Sequence, residues 1–256
     1  MKSKIVTLVS VGAHPASGRA RRAEHDARAV ELGLRLAGEA LEVLHVGDPA
    51  EPALRDYLGM GLSHLDVLEQ PANGDALPGL VEYLRDASVQ MVLAGSRSET
   101  GEGSGMLPYL LGERLGWPVI TGLAEIERID NGIAQVLQAL PRGQRRRLNV
   151  RLPLIATVDN AAPKARQSAY GPAQRGELLA HEVEIVQDEL LTTVELQPAR
   201  PRPKRLKVIK AKSGADRMKA ATAKASGGGG KVLKGVSPEE GAEAILKLLV
   251  EEGVVR

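Results

Sequence analysis

The sequence predicts an α/β fold built on a parallel sheet, with an antiparallel excursion and an extended C-terminal arm. Three observations predict it. In the first half, short apolar β-type runs alternate with amphipathic helical stretches, the pattern of parallel strands joined by helical crossovers. Further on, strand-like runs are separated by tight turns at Asp130-Asn131-Gly132 and Pro141-Arg142-Gly143, which favours antiparallel pairing. From Pro198 the composition shifts to Pro, Lys, Arg and Gly, which bury too little apolar surface to fold alone.

The strand-like runs are 5–11, 41–47, 64–69 and 89–95, with a fifth at 118–123 after a helix ending near Leu115. Helices are expected at 26–38, 52–60 and 77–87. In the first, Ala29, Val30, Leu32, Leu34 and Leu36 are too many for one narrow stripe, so the helix packs closely on the sheet. The excursion, 126–158, is read as antiparallel strands at 126–129, 134–139 and 148–158. Arg145-Arg146-Arg147 falls at its second turn, where a solvated turn is the plain reading. Residues 160–176, rich in Ala, Pro, Gly and basic side chains, are expected to form a long surface loop. At the far end Ser237 is placed as an N-cap, Pro238 as the first helical residue, and Glu239 and Glu240 at the positive helix end. Ala242, Ile245, Leu248 and Leu249 form one apolar face of that helix, which needs a surface to dock on.

Composition narrows the function. Aromatic residues are 2% of the chain, with no Phe and one Trp, so the core is aliphatic and few rings can stack on a flavin, a base or a sugar. The absence of Cys excludes disulfides, thiolate metal sites and thiol relays, and fits a cytoplasmic protein. No signal-peptide pattern opens the chain and no apolar run reaches bilayer length, so membrane insertion is not expected. Lys and Arg number 34 against 32 Asp and Glu, a net charge of +2. Residues 200–234 hold twelve basic residues and only Asp216 among acids, +11, leaving −9 on the rest of the chain. That basic arm has no aromatic residue for stacking and matches no reading motif, so nucleic-acid binding ranks last.

The segment most able to carry chemistry runs from Val92 to Pro108: an apolar strand, a loop rich in Gly and Ser, then a helix. Such a loop presents backbone N–H groups to an anionic phosphate, although it serves equally as a tight connection. Ser96, Ser98 and Ser104 add hydroxyl donors, while Glu99 and Glu102 would repel phosphate but could accept from ribose hydroxyls. No Gly-Lys-Ser/Thr follows, and no G-x-G-x-x-G follows the first strand. The five histidines, His14, His25, His45, His64 and His181, lack metal-ligand spacing, and there is no G-x-S-x-G elbow. Asp26 with Glu31, and Glu125 with Glu127, read as solvated charges. No catalytic set and no metal site emerge.

Taken together, the order of elements, the loop at 95–105, the run Leu110-Leu111-Gly112-Glu113-Arg114-Leu115-Gly116-Trp117-Pro118 and the strands at 126–159 resemble the beta subunit of electron-transfer flavoproteins. Tyr57-Leu58-Gly59-Met60-Gly61 and Leu152-Pro153-Leu154-Ile155-Ala156-Thr157-Val158 are similar to family segments in the same order, and the likeness covers nearly the whole chain. The resemblance implies an adenine-nucleotide alpha hydrolase-like domain with AMP as a structural ligand. It also implies a heterodimer whose alpha subunit holds most of the FAD, taking electrons from flavin dehydrogenases and passing them to a quinone-reductase acceptor. Carried over to this sequence, the nucleotide contacts are Val9, Ser10, Val46, Gly47, Ser96, Glu102, Ser104, Gly105, Met106 and Leu107. Leu107-Pro108 replaces the family's Thr-Gly, removing one hydroxyl contact to phosphate, and Ala23-Glu24-His25 replaces its Asn-Pro-Phe. The loop at 159–176 lacks the family's anchoring Leu; there Tyr170 is the most anchor-like side chain, with local packing an equal alternative. Partner contacts are expected at Tyr170, Ile245, Leu248 and Leu249. The domains so implied are a nucleotide-binding unit at 1–197, a basic arm at 198–236 and a docking helix at 237–256. The alternative is a stand-alone ATP-binding regulator of the universal-stress type, which the antiparallel excursion and the arm argue against.

Overall fold

Strand β1 (Ile5–Val9) is buried at every position, as an apolar run must be when covered on both faces. The structure, a computed structural model, describes residues 4–101, 103–195, 197, 213–216, 218 and 233–251. The strand expected over 5–11 breaks at Ser10, whose N–H is taken by the Asp26 carboxylate. Beyond the break a small hairpin forms from β2 (Val11–Ala13) and β3 (Ala20–Arg22), which sequence reading did not anticipate. Helix α1 (Glu24–Ala37) follows, with eight consecutive residues from Asp26 to Gly33 buried, matching the close packing expected of it.

The chain continues through β4 (Glu42–Gly47), a 3-10 turn at Pro52–Leu54, α2 (Arg55–Leu58), β5 (His64–Glu69), α3 (Ala76–Asp86), β6 (Met91–Gly95) and α4 (Leu107–Leu115). The single helix expected at 52–60 is thus a 3-10 turn and one α-turn. It stops where the Gly59 carbonyl accepts from Ala169 N (2.9 Å) and so is given to the segment 159–169. Next come β7 (Val119–Asp130), β8 (Ile133–Ala139), β9 (Arg145–Arg151), β10 (Leu154–Val158), α5 (Tyr170–Arg175), β11 (Glu177–Glu182) and α6 (Glu189–Thr193).

Nine strands make one sheet in the order β11-β5-β4-β1-β6-β10-β7-β8-β9. Pairing is parallel from β11 to β7 and antiparallel between β7, β8 and β9, a mixed α/β architecture with a largely parallel sheet. The expected antiparallel strand at 148–158 is corrected here to two strands. Pro153, with no N–H for a ladder, separates them. The half-polar β9 becomes the sheet edge, and the wholly buried β10 lies parallel between β6 and β7. Arg145-Arg146-Arg147 likewise lies within β9 rather than at a turn: Arg147 clasps Glu127 through two 2.7 Å bonds, and Arg146 donates to Gln138 Oε1 at 2.6 and 3.1 Å. The expected loop at 160–176 contains α5.

Alternation along β1 sends Ile5 and Val9 into one apolar cluster and Val6 and Leu8 into the other. Helix α1 supplies Ala27, Val30 and Leu32 to the first cluster; α3 and α4 supply Leu77, Leu80, Leu84 and Leu111 to the second. Tyr57, wholly buried, is the largest core side chain; the other buried hydrophobic residues are Ala, Val, Leu, Ile and Met, the aliphatic core that composition implied.

Contacts divide the chain into two units, Met1–Glu195 and Leu196–Arg256. Most of the basic arm, including Leu206, Val208, Ile209 and the four glycines at 227–230, lies outside the described residues. Helix α7 (Pro238–Glu251) belongs to the second unit and begins with reciprocal capping: Ser237 N donates to Glu240 Oε2 and Glu240 N to Ser237 Oγ. No helix among the described residues is long and apolar enough to cross a membrane.

Candidate functional site at the carboxyl ends of the strands

From β1 the chain moves to β4 and β5 on one side, then returns to place β6 on the other. The carboxyl ends of β1 and β6 therefore flank a topological switch point, where open α/β sheets leave a crevice for ligands. Val9 and Ser10, Val46 and Gly47, and Ser96 all lie at the ends of β1, β4 and β6, so half of the ten expected nucleotide contacts share one rim of the sheet.

The floor of the crevice is filled by the protein's own carboxylate. Asp26, in the first turn of α1, accepts from Ser10 N (2.7 Å), Ser10 Oγ (2.6 Å) and Gly95 N (3.0 Å), tying the ends of β1 and β6 together. It is 5% exposed, and burial raises its pKa to about 6 although all three hydrogen bonds favour the charged form. Glu31, one and a half turns on, is 4% exposed. Burial pushes its pKa up, but bonds from Arg166 and Arg35 outweigh that and hold it below the usual carboxylate range. Neither residue is the solvated charge that sequence reading took it for. In sequence both look like ordinary acids of an amphipathic helix; only the packing of α1 against the sheet ends sets them apart.

Two further side chains at this rim were missed. Tyr57 donates to Ser10 O (2.8 Å) and accepts from Ala23 N (2.8 Å), joining the end of β1 to the start of α1. His45 Nδ1 lies 2.9 Å from Val9 O, a contact that makes Nδ1 the protonated nitrogen, and burial lowers its pKa, so the ring is neutral near neutral pH. Gly47 is required beside it: its φ is +153°, and a Cβ there would fall 2.6 Å from His45 Nε2.

The hydroxyls expected to meet a ligand are largely occupied. Ser10 is held by Asp26, Ser96 Oγ lies 2.9 Å from His25 Nδ1, and Ser98 donates to Thr100 O. Glu99, expected as a ribose acceptor, instead accepts from Glu24 N (2.7 Å) at the start of α1 and pairs with Arg21. Glu102 lies outside the described residues. What remains open is backbone. Among the described residues no acceptor meets the N–H groups of Gly103, Ser104, Gly105 and Leu107, and no side chain caps α4. Gly103 and Gly105 have φ of +60° and +72°, and a Cβ on Gly105 would fall 2.7 Å from Ser96 O. A glycine loop with free amides at a helix N-terminus fits a phosphate group. Pro108 stands within the first turn of α4, where its missing N–H costs the helix nothing.

The expected partner contacts are carried by α5 and α7. Tyr170, at the start of α5, is 81% exposed; on α7, Ile245 and Leu248 are exposed and Leu249 is half-buried. Among the described residues no group of three or more His, Asp or Glu is arranged to hold a metal.

An open, largely parallel α/β sheet with an anion-receptive glycine loop at its switch point defines the general class of this protein. The electron transfer flavoprotein domain matches residues 7–186. An electron transfer flavoprotein subunit beta from Chromohalobacter salexigens is 57% identical over 256 residues, covering 99% of this chain and 96% of that protein. The chain belongs to the electron transfer flavoprotein family, as a beta-type subunit. Its function is electron transfer in association with flavin, and a stand-alone ATP-binding regulator is not favoured.

Proposed function

We propose that this chain pairs with an alpha subunit that holds most of an FAD, and that it binds AMP as a structural ligand on the loop between β6 and α4. The observation that carries the nucleotide reading is the set of free amides at Gly103, Ser104, Gly105 and Leu107 beside the switch point. These amides would hold the phosphate, with Met106 at the helix start and the backbone of Val9, Val46 and Gly47 bordering the nucleoside. The domain around them is of the adenine-nucleotide alpha hydrolase-like kind. Bound FAD supplies the electron-carrying isoalloxazine; this chain contributes its orientation and surrounding electrostatics. With no Phe, one Trp and four Tyr, of which Tyr57 is wholly buried, the chain is poorly equipped to sandwich a flavin itself.

In this reading the chain turns over no substrate. Electrons pass from flavin dehydrogenases, docked near Tyr170, to a quinone-reductase acceptor, in the cytoplasm. The segment 198–236 and the helix at 237–256 embrace the alpha subunit, with Ile245, Leu248 and Leu249 as contacts. Co-expression with the alpha subunit, followed by chromatography of the nucleotides released on denaturation, tests this. A yellow heterodimer yielding FAD and AMP is expected; a colourless, non-associating pair overturns the reading, and a flavin-bearing pair without AMP overturns its nucleotide part.

A further inference from the structure

A second concentration of positive charge lies around the first turns of α1, beside β3. Arg21 and Arg22 of β3, Glu24, Ala27 and Arg28 of α1, and Lys164 and Ala165 of the segment after β10 line a cavity of about 260 Å³. A single water requires only roughly 10–15 Å³ measured in this way, so a polyatomic ion has ample room. Two of its four cations are neutralised: Arg21 pairs with Glu99 at 3.0 Å and Arg28 with Glu24 at 3.0 Å. Arg22 and Lys164 form no salt bridge among the described residues, although Asp56 and Glu31 attract Arg22.

The arginines are also short of acceptors. Arg22 gives one terminal nitrogen to Arg166 O (2.8 Å), and Arg28 gives one to Ala162 O (2.6 Å) and the other to Glu24. Arg22 Nη1, Arg28 Nε and Arg21 Nε are withdrawn from solvent and have no partner among the described residues. Arg28 is 5% exposed, and its Nε meets no acceptor among the described residues. Leaving buried donors of charged groups unmet is costly, more so than for neutral ones. Burial pushes the Arg22 guanidinium below its usual range, against the attraction of Asp56 and Glu31.

We propose that this cavity is a binding site for a phosphate dianion, separate from the loop at Gly103–Leu107. Four cations line the cavity against the single carboxylate of Glu24, which favours an anionic ligand. Donors arriving from both β3 and α1 suit a tetrahedral oxyanion better than a planar carboxylate, which takes one guanidinium fork. A modest turn of the Arg22 guanidinium on its flexible stem brings its free nitrogen to an oxygen in the cavity. Glu24 lies at the rim and remains with Arg28.

The test titrates inorganic phosphate by calorimetry into the full-length protein, purified with any partner subunit retained. The titration is run both without and with excess AMP, which occupies the other loop. Saturable one-to-one binding is expected, weakened about tenfold or more by Arg22→Gln and by Lys164→Gln and changed less than about twofold by Arg19→Gln, which lies outside the cavity. Lys164 is exposed, so its variant keeps the test valid if Arg22→Gln disturbs folding. Methyl phosphate in place of inorganic phosphate separates the two sources: tighter binding assigns the site to phosphate esters, weaker binding to the free ion. Absence of saturable binding, binding untouched by both substitutions, binding abolished by AMP, or malonate binding as tightly as phosphate each overturns the proposal.

Discussion

Two carboxylates on one helix, five residues apart, titrate in opposite directions because of what meets them. Asp26 is buried among neutral donors and rises to about 6; Glu31 is buried among guanidinium groups and falls. For Asp26 the unfolded chain ionises first, so the native state loses stability as pH rises from about 4 to 6, by about 3 kcal/mol at most. Asp26→Asn should abolish this slope, which parallel urea titrations of both proteins between pH 4 and 8 will measure. For Glu31 the sign is reversed: its contribution is present above the ordinary Glu range and is lost on acidification through its lowered pKa. Tyr57→Phe removes only the hydroxyl from the core but strands the Ser10 carbonyl and the Ala23 N–H. It is expected to cost about 1–3 kcal/mol, read as a fall in urea midpoint at unchanged m-value.

At the scale of elements, the loop from Ser96 to Met106 is the part most exposed to a single change. Gly105→Ala must place a Cβ against the Ser96 carbonyl and hold a left-handed φ of +72°, so the loop has to rearrange. Because the strand ends beneath it are tied independently by Asp26, the sheet should survive. The expected outcome is a chain with unchanged circular dichroism whose AMP content after purification has dropped about tenfold or more. Retention of full AMP would show that the nucleotide is held elsewhere. The start of α1 has a different character: Glu99 from this same loop accepts from Glu24 N and Arg21, so Glu99→Gln should loosen the β2–β3 hairpin, measurable as faster amide exchange at Ala13 and Glu24.

For the whole molecule, the central question is what the second unit contributes. Helix α7 carries its own capping box and an apolar face of exposed Ile245 and Leu248, features of a helix completed by another surface. Deleting 237–256 is expected to weaken heterodimer formation by an order of magnitude or more, while Met1–Glu195 keeps its thermal transition. Sedimentation of the truncated and intact chains with the alpha subunit will decide, and equal affinities would leave α7 without this role. The +11 charge of residues 200–234 should make association faster at low salt than at high.

Periodicity located β4, β5, β6, α1 and α3, because runs buried on two faces and helices buried on one leave plain apolar patterns, and the residues Asp130-Asn131-Gly132 located the β7–β8 turn. Local residue chemistry placed the glycine loop before α4 and the capped helix at 238–251, where it is self-sufficient. Tertiary structure decided the rest. Whether β10 continued an antiparallel meander or joined the parallel centre depended on which strands had an open edge, information absent from the run Leu154–Val158 itself. Whether Asp26 and Glu31 were solvent charges or buried anchors depended on neighbours up to 135 positions away in the chain, Arg166 among them. Burial and charge pairing are sums over contacts that the fold creates, so residue spacing can announce an element while leaving the environment of its polar side chains undetermined.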